Sequence, residues 1–346
     1  MKCKKILTAL LAAACTMSGC HGDLDIMQDN KLSASNMWID ESDAETATYG
    51  IYLYMRDALK SVHDIYLCWG EFRNGLWGAG TNKTLSGVDQ TQVRTSTMSS
   101  SNAYADWSVM YKTVNQANLI LKHVPEMGIS ESVRNFSLGN AYFSRAWCYF
   151  WIARIWGDAP LALTGYESTA GDLYLPRAPK AEIFARIESD LTEAERYVTD
   201  NSDKAVATPA AVQMLKADYA LWMYRVAGGG SSYLTMAEKA IEALNLSASR
   251  LESDYAQVFS SANKLNKEVI FAVHQANGEA VNGPGYYLGW NSNYVEAAYQ
   301  NNPVPITGGN QWWWYTDRYK ALLTSVEGDT RTKLTYNRAD YGTTIK

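Results

Sequence analysis

Apolar residues recur along much of this chain at three- and four-residue steps, the spacing that lines one face of an α-helix. Ala47, Ile51, Met55, Ala58 and Val62 mark a first helix, with Ser42 placed as its N-cap. Trp107, Tyr111, Val114, Asn118, Leu121 and Val124 mark a second, stopped by Pro125. Between them, Gly70 to Ser101 is rich in Gly, Ser, Thr and Asn without helical period and reads as a long loop region. A third helix, about Arg134 to Trp156, is apolar almost all round in Trp147-Cys148-Tyr149-Phe150-Trp151-Ile152, as expected at the centre of a bundle. Gly157 supplies its stop, and Pro160 prevents a restart. Pro179 opens a fourth helix with Phe184, Ile187, Leu191, Ala194 and Val198 as its stripe. Thr208-Pro209 is an N-cap followed by a proline at the first helical position, and it opens a fifth helix through Val212, Leu215, Tyr219 and Trp222 to Gly228-Gly229-Gly230. A sixth runs near Thr235 to Leu246.

Paired amphipathic helices with short connections are how tetratricopeptide-type arrays bury their faces, although no clean period of about 34 residues is visible. After Lys267 the texture changes. Glu268-Val269-Ile270-Phe271-Ala272-Val273 reads as a strand, followed by a stretch rich in Gly, Asn, Pro and clustered aromatics. The expected fold is therefore mainly α, a bundle of tetratricopeptide-like helix pairs over 41–265, with a loop-rich, irregular part holding a few short strands over 266–346.

The amino terminus has another character. Lys2, Lys4 and Lys5 precede the apolar run Ile6 to Ala14, and Met17-Ser18-Gly19-Cys20 follows: the charged, apolar, small-residue order of a secretory signal. The run is too short to span a bilayer. Small residues directly before Cys20 resemble a lipobox, with Met17 where leucine is usual. This predicts a signal peptide over 1–19, lipid on Cys20 and a polar tether over 20–40. Two acyl signals or more on one residue give the stable anchoring that one chain cannot. Cys68 and Cys148 are the other cysteines beyond the signal, so no disulfide framework is legible.

Charge narrows the partners. The chain has 31 basic and 36 acidic residues, and loss of Lys2, Lys4 and Lys5 with the signal leaves 28 against 36, a formal charge of −8. That disfavours nucleic acid.

Chemistry is sparse. His21, His63, His123 and His274 lie far apart without metal-ligand spacing, no G-x-S-x-G elbow occurs, and the glycines of Gly75 to Gly80 have the wrong offsets for a phosphate cradle. Glu188 with Asp190, and Glu193 with Glu195, sit on the fourth helix away from its apolar stripe and read as solvated surface rather than a glycosidase pair. The expectation is no enzyme, no metal and no cofactor. The aromatics say more: 12 Trp and 23 Tyr against 7 Phe favour rings with a polar handle. Trp107, Trp147, Trp151 and Trp222 fall on helical stripes and are assigned to the core. Trp69 with Trp77, Tyr286 to Trp290 with Tyr294 and Tyr299, and Trp312 to Tyr315 cluster away from periodic helix. A sugar ring offers an apolar C–H face to such rings while amides and guanidinium groups take its hydroxyls. Trp69, Arg73, Trp77, Tyr287, Trp290, Asn291 and Trp313 are the candidate binding residues.

The segment Arg145-Ala146-Trp147-Cys148-Tyr149-Phe150-Trp151-Ile152-Ala153-Arg154-Ile155-Trp156-Gly157-Asp158-Ala159-Pro160-Leu161 resembles the central helix of the RagB/SusD family of nutrient-binding outer-membrane lipoproteins. Leu24-Asp25, Trp69-Gly70-Glu71-Phe72-Arg73, Leu175-Pro176-Arg177, Thr208-Pro209-Ala210-Ala211 and Asn266 to Val273 match in the family's order. The resemblance implies a tetratricopeptide-like bundle decorated by a loop-rich part that carries the ligand surface. It also implies a partner, a TonB-dependent barrel transporter of the SusC type, over which the lipoprotein closes. Relatives continue well beyond the equivalent of Glu327-Gly328-Asp329-Thr330-Arg331, so a shortened carboxyl-terminal domain is expected here. The function expected from this resemblance is a surface lipoprotein that captures oligosaccharide, or another nutrient, for transport. A helical scaffold for a protein or peptide is the alternative reading, with a surface glycan hydrolase third.

Overall fold

The computed structural model describes residues 37–79, 88–169, 173–276, 278–279, 313–332, 338–339 and 343–344. The fold lies in one compact unit, Asp40–Lys346. Helix α1 (Glu41–Trp69) begins at Asp40, not Ser42, because Asp40 and Asp43 form a reciprocal capping box: each side chain accepts the other's backbone N–H. Helix α2 (Val88–Thr95) follows, then α3 (Ser108–His123), which a single 3₁₀ turn at Val124–Glu126 ends at Pro125 as expected. Helix α4 (Glu131–Trp156) is capped by Ser130 and closed by Gly157 at φ 76°. Helices α5 (Lys180–Tyr197), α6 (Pro209–Arg225) and α7 (Ser231–Ala243) complete the bundle, and Thr208 Oγ1 accepts the Ala211 N–H at 3.1 Å to start α6. Two short helices come later, α8 (Tyr255–Val258) and α9 (Asp317–Leu323).

Helix α4 is the hub. It packs on α1, α3 and α5, while α6 packs on α5 and α7, so successive helices pair in the manner of tetratricopeptide-like arrays. The mainly α architecture expected from the apolar periodicity is the one observed. Phe143, Cys148, Tyr149, Phe150 and Ile152 of α4 are buried with Ile183, Ile187 and Leu191 of α5 and with Val212 and Tyr219 of α6. At Gly139 the approach of α5 is so close that a Cβ would lie 2.6 Å from Val198 Cγ2, which only glycine tolerates.

Two buried polar ties hold these helices in register. Arg145 of α4 donates from Nε and Nη2 to Asp190 of α5 at 2.8 and 2.7 Å, and from Nη1 to Asn118 of α3 at 2.7 Å. Tyr52 of α1 donates to Asn140 Oδ1 of α4, and both oxygens accept the Ala207 N–H just before α6, at 2.7 and 3.0 Å. Buried polar groups are tolerable only when satisfied in this way.

The strands are short antiparallel pairs: β1 (Trp77–Ala79) with β4 (Trp313–Tyr315), β2 (Ala159–Pro160) with β3 (Arg177–Ala178), and β5 (Arg338–Ala339) with β6 (Thr343–Thr344). Two sequence expectations are corrected here. The 70–101 region is not loop throughout, since it contains a 3₁₀ turn (Glu71–Arg73), β1 and α2. Conversely, Glu268 to Val273 forms no strand: it starts in a turn, with the Val269 N–H donating to Asn266 O at 3.2 Å, the Ala272 N–H donates to Lys204 O at 2.9 Å, and Phe271 packs on Tyr52 and Phe143. Apolar residues there serve side-chain packing, a demand that mimics strand composition.

Candidate functional site

Gly70 ends α1, and the chain turns through Glu71–Arg73 and Gly75, at φ 77°, into β1. The register of β1 with β4 sets Trp77 opposite Tyr315, Gly78 opposite Trp314 and Ala79 opposite Trp313. Thr316 locks this junction: its N–H and Oγ1 both donate to Leu76 O, at 2.9 and 3.0 Å, while the same hydroxyl caps α9 by accepting the Tyr319 N–H. Two aromatic clusters far apart in sequence thus meet on one ladder. The Trp77 ring is half-buried, edge-on to Phe72 at 5.1 Å and 6.3 Å from Tyr319. Arg73 is exposed on the turn leading to it.

Of the candidate binding residues, Arg73, Trp77 and the backbone of Trp313 therefore share one neighbourhood. Tyr287, Trp290 and Asn291 lie outside the described residues, as does Cys20. Trp69 is corrected. It is only 7% exposed, its Nε1 donates to Tyr104 O at 2.8 Å, and its ring packs against Trp151 and Trp156 at 5.8 and 5.3 Å. Trp69 belongs to the wall behind the turn, because the last turn of α1 faces the end of α4. The tryptophans assigned to the core are only half inside: Trp107, Trp147, Trp151 and Trp222 are all partly exposed while packing against the core. Arg154 lies over Phe150 at 4.0 Å, Trp151 at 5.1 Å and Trp222 at 5.7 Å, and its Nη1 is 3.2 Å from Asp218. Sequence alone pointed to no such ridge.

The fourth-helix carboxylates are corrected as well. Asp190 is fully buried against Arg145. Glu188 Oε1 accepts the hydroxyls of Tyr219 and Tyr233 at 2.8 and 2.6 Å, and Glu195 accepts from Gln213 and Lys216. These three are ties between helices rather than solvated surface, while Glu193 is partly exposed and its ion pair is with Arg196 on the same helix. Burial pushes the Cys68 thiol up to about 12 and the Cys148 thiol higher still, so both stay protonated and act as small apolar packers. Among the described residues no cluster of His, Cys, Asp and Glu could hold a metal ion, and no helix is long and apolar enough to cross a membrane.

The described residues thus form a helix-pair bundle with a short ladder that brings two aromatic-rich segments together along the backbone. A SusD-like family model described as "Starch-binding associating with outer membrane" matches residues 79–222, the stretch from the end of β1 to α6. A SusD-like protein of Formosa agariphila is 26% identical over 190 residues, 55% of this chain and 36% of that relative. A solved SusD superfamily structure from Bacteroides fragilis superposes with a TM-score of 0.70 at 25% identity, covering 86% of this chain and 63% of the other. NanU of the same organism gives 0.70 and 25%, covering 88% and 64%. Over these stretches the chain is similar to SusD-like proteins. It spans about a third of the curated relative's length and just under two thirds of these solved chains.

Proposed function

We propose that this chain is a non-catalytic, cell-surface binding protein that captures oligosaccharide and passes it to a TonB-dependent barrel transporter of the SusC type. The observation that carries the reading is the β1–β4 ladder, which joins the backbone of Trp77, just after the turn that holds Arg73, to the Trp313–Tyr315 segment, beside a bundle similar to that of SusD-like proteins. An amphipathic ring such as Trp77 suits a sugar, whose C–H face stacks while its hydroxyls hydrogen-bond. The involvement of the fourth-helix carboxylates in helix–helix ties supports binding without turnover. In this reading residues 1–19 are the signal, 20–40 the tether from a lipidated Cys20, 41–265 the bundle, and 266–346 the start of the ligand-bearing domain, on the outer membrane.

Trp77→Ala and Trp290→Ala should each weaken affinity for a bound glycan by about 1–3 kcal/mol, by analogy with base–aromatic stacking. Calorimetric titration of each full-length variant, beside its melting curve, measures this; unchanged affinity in both would remove these rings from the site. The anchor has its own test. Cys20→Ala cannot form the thioether, so labelling with a palmitate analogue should leave the variant unlabelled and uncleaved, whereas undiminished label would place the lipid elsewhere.

A further inference from the structure

A cleft of about 440 Å³ lies between α3 and the segments 160–166 and 173–175, and none of Trp69, Arg73, Trp77 or Trp313 lines it. Its walls are the rings of Trp107, Tyr111, Tyr166 and Tyr174. The walls are fixed from behind. Tyr111 donates its hydroxyl to Pro160 O at 2.7 Å, and Asn115 clasps the Tyr166 backbone, donating to its O at 3.0 Å and accepting its N–H at 2.8 Å. A cleft preformed by such ties, of a size within the usual range of about 300–1,000 Å³, loses little freedom when a small molecule enters. At its mouth Tyr174 is 93% exposed, an unusual position for a large ring with an apolar body.

Among the described residues, the unpaired charge at the rim is basic. Arg177 pairs in the β2–β3 ladder with Pro160, a lining residue, and its guanidinium lies 5.1 Å over the Trp107 ring. Among the described residues no carboxylate pairs with it. Among the described residues the nearby acids are engaged: Asp106 by Ser108, Asp158 by the Lys180 N–H, Glu167 by Lys122 and His123. A guanidinium drawn to an aromatic face still has N–H groups to offer, the fork that grips a carboxylate with two parallel hydrogen bonds.

We propose that this cleft is a second saccharide site, separate from the Trp77 surface, and that it takes a sugar bearing a carboxylate, its ring on the tyrosines and Trp107 and its carboxylate on Arg177. The assignment goes beyond the binding function proposed above and does not depend on the β1–β4 ladder.

The test titrates the full chain with trigalacturonate and with its carboxyl-reduced counterpart. The parent should bind the uronate about tenfold more tightly than the reduced sugar. Tyr174→Ala should weaken uronate binding about fivefold or more with an unchanged melting curve, since the ring is outside the core. Arg177→Gln should abolish the preference for the carboxylate, and Trp77→Ala should leave uronate binding as it was. Absence of uronate binding by the parent, equal affinity for the two sugars, or insensitivity to Tyr174→Ala would each overturn the proposal. Loss through Trp77→Ala alone would assign the uronate to the Trp77 surface, so that this proposal falls while the glycan-binding reading stands. Binding of neutral glycans without uronate has the same meaning.

Discussion

Replacing Asp190 with alanine should destabilise the bundle by about 3–5 kcal/mol, the usual result of leaving one member of a buried ion pair without its partner. Arg145 would keep a charge that is 5% exposed, with only Asn118 to receive one of its three donors. In a domain of this size the loss corresponds to a melting temperature lower by on the order of 10 °C. The double variant Arg145→Met with Asp190→Leu removes both charges and should recover a large share of that loss, because an apolar pair of similar volume often equals or exceeds a buried ion pair. Thermal and denaturant unfolding of the three proteins checks both statements. A single variant as stable as the parent would mean that the pair does not hold α4 against α5.

Phe150→Ala should be equally damaging, at about 3–5 kcal/mol, because a fully buried ring at the hub of α4 leaves a cavity among Tyr219, Trp222 and their neighbours. Trp151→Ala, one residue on, should cost less. Its ring is partly exposed and shares its packing with Trp69, Trp147 and Arg154, any of which has room to settle against the gap. Melting curves of the two variants give the order directly; a larger loss at Trp151 would contradict the assignment of Phe150 as the central ring.

The helices were legible because their ends carry local chemistry. Thr208-Pro209, Pro125 and Gly157 act within a turn of their own position, and the stripes of α1, α5 and α6 need only a neighbour to cover them. What escaped depends on partners distant in the chain. Nothing near Trp77 announces a strand, since its ladder partner is Tyr315 and the turn is fastened by Thr316. Asp190 reads as surface because it is charged, yet it lies three residues after Ile187 and four before Ala194, on the buried face of α5, where α4 brings Arg145 to it. Trp69 looked like a loop ring because Gly70 follows it, although it closes the last turn of α1 and faces Trp151 and Trp156. The Arg177–Trp107 contact needed the β2–β3 pairing, which two residues a side cannot signal.

The central claim, that this SusD-like chain binds oligosaccharide and does not consume it, is tested most directly by titrating the full-length protein against a panel of oligosaccharides and weighing the recovered sugar by mass spectrometry. Saturable binding of at least one glycan with its mass unchanged after prolonged incubation is the predicted result. Failure to bind any member of the panel, or the appearance of shortened products, would contradict it.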